Sequence, residues 1–269
     1  MDVVKSKSDI KRVKTYIFGL DENLQGGVPE GHAVLVNGRS GTMKSSISFN
    51  ILYNEALAGT NSLYLTLEQS APSLLNHMVN MDFDLSKVNL VIAEDISKIS
   101  QALKQPKSSK KGTIILADLG PIRKKVRDTK FSAGTDWLSA IKNVIDTASS
   151  AAKCRLFVLD SLSALYALSR FEDPRQKLFY TFDFLRSRGL TSFLVSESPF
   201  DKNRLTEYGV EEYLADGILH LEMTERYRKV TREISVPKMR ATDCNLDIFT
   251  LEYRNRKFNA LYGGKTPVV

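Results

Sequence analysis

Cysteine, histidine and long apolar runs are scarce in this sequence of 269 residues. The two cysteines, Cys154 and Cys244, lie far apart without metal-ligand spacing, so they read as buried or incidental thiols of a reducing compartment. His32, His77 and His220 form no cluster, and each reads as a packing or surface side chain rather than a ligand. No apolar run approaches the roughly eighteen residues of a membrane-spanning helix. The opening residues, MDVVKSKSDIKRVK, lack the apolar centre of a signal peptide. The expectation is a cytoplasmic protein with no membrane insertion.

What is present suits a globular core, with 42% hydrophobic residues. The net charge of +7 is local. Residues 104–130 carry nine basic side chains against Asp118 and Asp128, a surplus equal to that of the whole chain. Such a patch reads either as a solvated face or as a docking site for nucleic acid or an acidic partner.

The most informative stretch runs from Ala33 to Ser48. The apolar run Ala33-Val34-Leu35-Val36 reads as a buried strand. Gly38-Arg39-Ser40-Gly41-Thr42-Met43-Lys44-Ser45 follows, and then a helix with Ile47, Ile51, Leu52 and Ala56 on one stripe. Strand, glycine-containing turn, Lys-Ser and helix form the setting of a phosphate-binding loop. A backbone wrapped around a polyphosphate points several N–H groups inward, and the helix N-terminus adds a favourable dipole. Ser40, Gly41, Thr42, Met43, Lys44, Ser45 and Ser46 are therefore the expected nucleotide contacts. Lys44 is expected to reach the β and γ phosphates, and Ser45 to ligate Mg²⁺. Met43 stands where the usual pattern has glycine.

Further along, Leu63–Leu67, Leu90–Ile92, Thr113–Leu116, Leu156–Leu159 and Phe193–Val195 read as short buried strands alternating with helices. Ser70 is a candidate N-cap, and Gly59 a candidate helix end. Trp137, Leu138, Ile141, Val144, Ile145 and Ala148 mark one amphipathic helix beginning at Asp136. Phe179, Phe182, Phe184 and Leu185 are the expected inward residues of another, over 176–188. Strands succeed one another from Ile218. The expected fold is an α/β sheet, mostly parallel, with antiparallel C-terminal strands. A core over 14–258 is expected between tails at 1–13 and 259–269.

Ligands of open α/β sheets sit outside the carboxyl ends of the strands. Asp160 ends one such strand and reads as an Mg²⁺ carboxylate or as a turn cap. Glu68 ends another. It is a candidate to orient or deprotonate the water attacking a γ-phosphate, or a first-turn helix acid. Ser196 and Glu197 end a third, as candidate γ-phosphate sensors.

These residues together resemble the KaiC-type branch of the RecA superfamily of ATPases, from about Phe18 to about Leu251. Gly26-Gly27-Val28-Pro29-Glu30-Gly31 is similar to the approach to that family's phosphate loop. Tyr64-Leu65-Thr66-Leu67-Glu68-Gln69 resembles its strand bearing catalytic glutamates, with Gln69 in place of a second one. Tyr208 to Asp216 resembles a segment of the hydrolysing repeat. Lys238-Met239-Arg240 resembles the Lys-x-Arg that reaches a neighbour's ATP. The resemblance implies a RecA-like core, ATP and Mg²⁺ as cofactors, and a homo-oligomer, a hexameric ring with ATP between subunits.

Three functions remain open on these residues. One is a regulatory ring ATPase whose nucleotide state sets assembly and the binding of a protein partner. Another is a nucleic-acid-dependent relative of the recombinases. Its candidate loops, 163–177 and 199–212, mix Arg170, Arg175, Lys177, Lys202 and Arg204 with six acids, which disfavours a phosphate track. The third is a nucleotide-bound scaffold with little turnover.

Overall fold

A computed structural model describes residues 6–93, 99, 111–119, 137–168, 173–199, 204–226 and 228–262. All of the 104–130 patch except 111–119 lies outside the described residues, as do Asp136, Arg170 and Lys202.

Two short pairings precede the first long strand. β1 (Arg12–Val13) runs antiparallel to β3 (Val28–Pro29), and β2 (Ile17–Phe18) closes the edge of the main sheet. β4 (Ala33–Gly38) leads into α1 (Lys44–Leu57). Then come β5 (Ser62–Thr66), α2 (Ala71–Asn80), β6 (Asn89–Ala93) and β7 (Thr113–Asp118). Next are α3 (Trp137–Ala152), β8 (Leu156–Asp160), α4 (Leu162–Leu168), α5 (Pro174–Ser187) and β9 (Thr191–Glu197). The one-turn α6 (Glu211–Leu214) precedes β10 (Gly217–Arg226), β11 (Lys229–Met239), β12 (Phe249–Arg254) and β13 (Lys257–Tyr262).

The sheet order is β2-β13-β12-β11-β10-β4-β9-β8-β5-β7-β6. Every pairing from β10 across to β6 is parallel. The pairings from β10 through β11 and β12 to β13 are antiparallel. The mostly parallel sheet with antiparallel C-terminal strands is as expected, and paired strand extends from Arg12 to Tyr262.

Strands buried on both faces read as continuous apolar runs because helices cover each side. Alternation then divides their side chains between two cores. Val34, Val36, Tyr64, Val158 and Phe193 join one with α1 and α2. Ala33, Leu35, Leu63, Leu65, Phe157 and Leu194 join the other with α3, α4 and α5. Ser70 does cap α2, accepting from the Ser73 amide. Gly59, with φ of +99°, follows Ala58, the C-cap of α1, as a helix-ending glycine.

On α5 the expected inward set needs correcting. Leu178, Thr181, Phe182 and Leu185 are buried, and Phe179 is 52% exposed. The buried four follow the spacing i, i+3, i+4, i+7. Phe179 falls one position off that stripe, and Phe184 lies at its margin.

Candidate active site

The carboxyl ends of β4, β5, β8 and β9 lie side by side. Gly38 pairs with Glu197, Thr66 with Asp160, and Asp160 with Val195. The chain leaves β4 through Arg39–Met43 and enters α1. Gly38 is held to glycine here, because a Cβ would lie 2.4 Å from the Leu221 carbonyl oxygen and 2.9 Å from Thr42 Oγ1. Met43 takes φ of 74° and ψ of 26°, the left-handed region, at the N-cap of α1. An L-residue there costs about 1–2 kcal/mol, and the Met43 side chain packs against the α1–α2 core.

Lys44 is the buried cation of the loop. Its Nζ donates to the carbonyls of Gly38 at 2.8 Å and Arg39 at 2.9 Å, and lies 3.9 Å from Glu197. Burial lowers its pKa, against the pull of Glu197, Glu68 and Asp160. Asp160 is buried and accepts the Tyr64 hydroxyl at 2.5 Å. The Ser45 side chain lies near both Asp160 and Tyr64 and pulls the pKa of each down. Burial pushes the Asp160 carboxyl up. The Tyr64 hydrogen bond and the nearby Ser45 oppose that rise, Glu68 adds to it, and Lys44 counters.

One further backbone bond, from the Leu67 amide to the Asp160 carbonyl at 2.7 Å, extends the β5–β8 pairing past Thr66. It sets Glu68 beside the end of β8, where its carboxylate accepts the Ser161 hydroxyl. Glu197 sits at the end of β9 with its amide donating to Ser163 Oγ at 3.0 Å.

These groups line one cleft of about 290 Å³, formed by Ser40, Gly41, Met43, Lys44, Ser45, Ser46, Glu68, Gln69, His77, Asp160, Val195 and Glu197. Of the expected loop residues, only Thr42 does not line it. Thr42 is buried and its hydroxyl donates back to the Arg39 carbonyl at 2.7 Å. Ser196, expected beside Glu197, is also absent from the lining. Alternation along β9 turns it to the other face, where it is fully buried.

Lys238 and Arg240 lie elsewhere. Lys238 pairs with Ile218, which pairs with Leu35. The Arg240 amide donates to the Asp216 carbonyl, and the Asp216 amide to the Ala33 carbonyl. Arg240 is therefore level with the start of β4, about 16 Å along the strand from Gly38 at the usual rise per residue. The fold keeps both side chains out of their own chain's cleft.

Sequence reading missed three residues here. Tyr64 looked like one more apolar strand residue, yet a phenol in a fully buried strand needs a polar partner, and that rule points to Asp160. His77 projects from α2 into the cleft lining, with Nε2 3.1 Å from Ser46 Oγ. Arg232, on β11, donates to the Gly41 carbonyl at 3.1 Å. Neither contact has a signature along the chain.

The family model described as ATPase: KaiC matches residues 13–258. A UPF0273 protein of Saccharolobus solfataricus is 29% identical over 242 residues, covering 88% of this chain and 78% of that one. A UPF0273 protein of Pyrococcus furiosus is 28% identical, covering 87% of each. The circadian clock protein KaiC3 of Synechocystis is 26% identical over 92% of this chain, which spans 45% of that longer protein. The crystal structure of a KaiC-like protein from Pyrococcus horikoshii has a TM-score of 0.71 at 24% identity, covering 94% of this chain and all of that one, a likeness of fold. With the family match spanning nearly the whole sequence, the chain belongs to the KaiC ATPase family.

Proposed function

We propose that this chain binds ATP with Mg²⁺ in the cleft above β4, β5, β8 and β9 and hydrolyses it. The observation that carries the reading is the meeting of Ser45, Asp160 and Glu68 beside the buried Lys44, from three separate segments. Their chemistry fits the two groups. One hydroxyl and one carboxylate beside an open cleft suit an ion that retains water and takes its other ligands from phosphate oxygens. A buried ammonium on a backbone loop suits the phosphates themselves. Mg²⁺ supplies charge neutralisation at the phosphates.

In this reading the amides of Ser40, Gly41, Met43, Ser45 and Ser46 and the Lys44 ammonium hold the polyphosphate, and Ser45 and Asp160 hold the metal. Glu68 orients the attacking water and accepts its proton once it turns from Ser161. Glu197, 3.9 Å from Lys44, faces the end of the phosphate chain. Lys238 and Arg240, kept from their own cleft, serve the nucleotide of a neighbouring copy in a ring. They supply positive charge in trans as an arginine finger does. The nucleotide state then governs assembly and the surface offered to a protein partner.

A nucleic-acid motor is the weaker reading. Of the acids in its candidate loops, Glu211 is fully buried and accepts from Tyr166 and Thr206. Glu212 accepts the Leu205 and Thr206 amides. Both serve the fold of their own chain.

The test is Mg²⁺-dependent ATP hydrolysis and assembled size, with and without ATP, for the wild type, Lys44→Ala and Glu68→Gln. The expected result is turnover and ATP-driven assembly in the wild type, loss of both in Lys44→Ala, and binding without turnover in Glu68→Gln. ATP bound but never hydrolysed by the wild type would replace the enzyme with a scaffold, and absent binding would remove the nucleotide reading.

A further inference from the structure

At the end of the sheet opposite the cleft, one buried carboxylate gathers four donors. Asp216 Oδ2 accepts the Ala33 amide at 3.0 Å and Arg186 Nε at 2.9 Å. Its Oδ1 accepts Arg186 Nη2 at 3.1 Å and Arg240 Nη1 at 2.7 Å. Burial alone would raise this carboxyl, and the bonds from Arg186, Ala33 and Arg240 more than offset it and hold it low. Arg240 is tied at its backbone too, through its amide to the Asp216 carbonyl at 2.8 Å. Its Nη2 also donates to the Tyr213 carbonyl at 3.3 Å.

This differs from an ordinary surface ion pair, in which two flexible side chains meet and little is gained. The Asp216 side chain is 8% exposed and is fixed by β4 on one side and α5 on the other. The Arg240 side chain is 53% exposed. A guanidinium has five N–H donors in a rigid fork. The described bonds take two of Arg240's, and about half of the side chain is open to solvent. Lys238 lies beside it, donating to the Glu212 carbonyl at 2.7 Å. Two guanidiniums therefore share one carboxylate, with the Lys238 ammonium close by. Burial disfavours the charge on Lys238, and Arg240 and Arg186 add to that. A polyanion arriving from outside would relieve the repulsion, and a fixed planar fork matches phosphate oxygens bidentately.

We infer that Asp216, braced by Arg186, is a positioning residue that aims the Arg240 guanidinium at the polyphosphate of a nucleotide held by a second copy of this chain. The inference rests on the in-trans reading above and adds the residues that hold the cation in place. Arg186 fixes the carboxylate, the carboxylate fixes Arg240, and the guanidinium then reaches the neighbour's phosphates already oriented. The neighbour's site thus gains a donor with little side-chain entropy left to lose.

The test uses mixed assemblies of the full chain. Glu68→Gln chains bind ATP without turning it over and keep Asp216, Arg186 and Arg240. Asp216→Asn, Arg186→Met and Arg240→Ala chains keep the loop and Glu68. Each of these three is assayed alone and after mixing with Glu68→Gln before ATP is added. Asp216→Asn and Arg186→Met are expected to lower kcat about 10- to 100-fold with KM nearly unchanged, the scale of a misplaced group. Assembled size should hold, and activity should return on mixing, as for Arg240→Ala, because an intact loop then sits beside an intact Arg240. Recovery by Arg240→Ala but by neither of the other two would mean that Asp216 and Arg186 serve only their own fold, and would overturn the inference. So would full kcat in both variants alone. No recovery even for Arg240→Ala would sink the in-trans reading itself. Arg186→Met leaves the Ala33 and Arg240 bonds of Asp216 in place, so it decides the matter if Asp216→Asn fails to fold.

Discussion

Removing one oxygen atom should separate the stability of the site from its chemistry. Tyr64 is fully buried, and its hydroxyl donates to Asp160 Oδ2 at 2.5 Å. Tyr64→Phe keeps the ring, including its tilted contact with Phe49 at 6.2 Å between centroids, so no cavity opens. What is lost is one hydrogen bond to a carboxylate that is almost fully buried. Such bonds contribute about 1.5–3 kcal/mol, and the loss of a buried partner leaves the acceptor's desolvation uncompensated. Ser45 and the charge of Lys44 remain near Asp160, which favours the lower half of that range, about 2 kcal/mol. For a domain of this size the melting temperature should fall by roughly 4–8 °C. The bond also fixes the direction of the carboxylate proposed to hold Mg²⁺, and removing an outer partner of a metal ligand typically costs about 10- to 100-fold in metal affinity. Urea unfolding without nucleotide reads the first effect, and a Mg²⁺ titration of ATP turnover reads the second. A variant that unfolds within about 0.5 kcal/mol of the wild type and needs no more Mg²⁺ would refute the view that Tyr64 holds Asp160 in place.

Four other substitutions and a pH series test the fold at the site and away from it. Met43 occupies the left-handed region, where a β-branched residue is a steric outlier. Met43→Val should cost about 2 kcal/mol, and Met43→Gly should stay within about 1 kcal/mol of the wild type as relieved strain offsets the freer unfolded chain; denaturant midpoints measure both. At Gly112 a Cβ would lie 2.1 Å from the Thr60 carbonyl oxygen, a backbone atom. Gly112→Ala should therefore destabilise by more than about 2 kcal/mol through displacement of the α1–β5 turn, seen as a lower thermal midpoint. Asp216 has a folded pKa below its ordinary 3.8, so its contribution is present above that value and is lost as pH falls through the lower folded value. Stability should drop below about pH 4 in the wild type, and Asp216→Asn should flatten that acid limb in urea unfolding series.

The loop and its neighbours were legible along the chain because the chemistry is local. A phosphate loop needs its lysine and hydroxyl at fixed spacing between a strand and a helix, and Lys44 and Ser45 have it. The strand-ending carboxylates were legible for a related reason. A polar residue closing an apolar run marks the end of a buried strand, and parallel strands put all such ends on one side. So Asp160, Glu68 and Glu197 could be named before their meeting was seen. Phe179 and Ser196 were misplaced because composition does not say which way a residue faces. One step along a helix or strand turns a side chain by 100° or 180°, and only the packed neighbours set the phase.

By itself, the amino-acid sequence determined the fold class, the phosphate-loop chemistry and the residues that end the core strands. All of these depend on hydrophobic runs and spacings of a few residues. Tertiary structure alone decided the strand order that brings β5 beside β8, and with it the Tyr64–Asp160–Ser45 contact across separate segments. It alone decided that Lys238 and Arg240 face away from their own loop, and that the Asp216 carboxylate sits between Arg186, 30 residues away, and Arg240. Such pairings are set by the register of strands and the burial of charge, and neither is written in any one stretch of the chain.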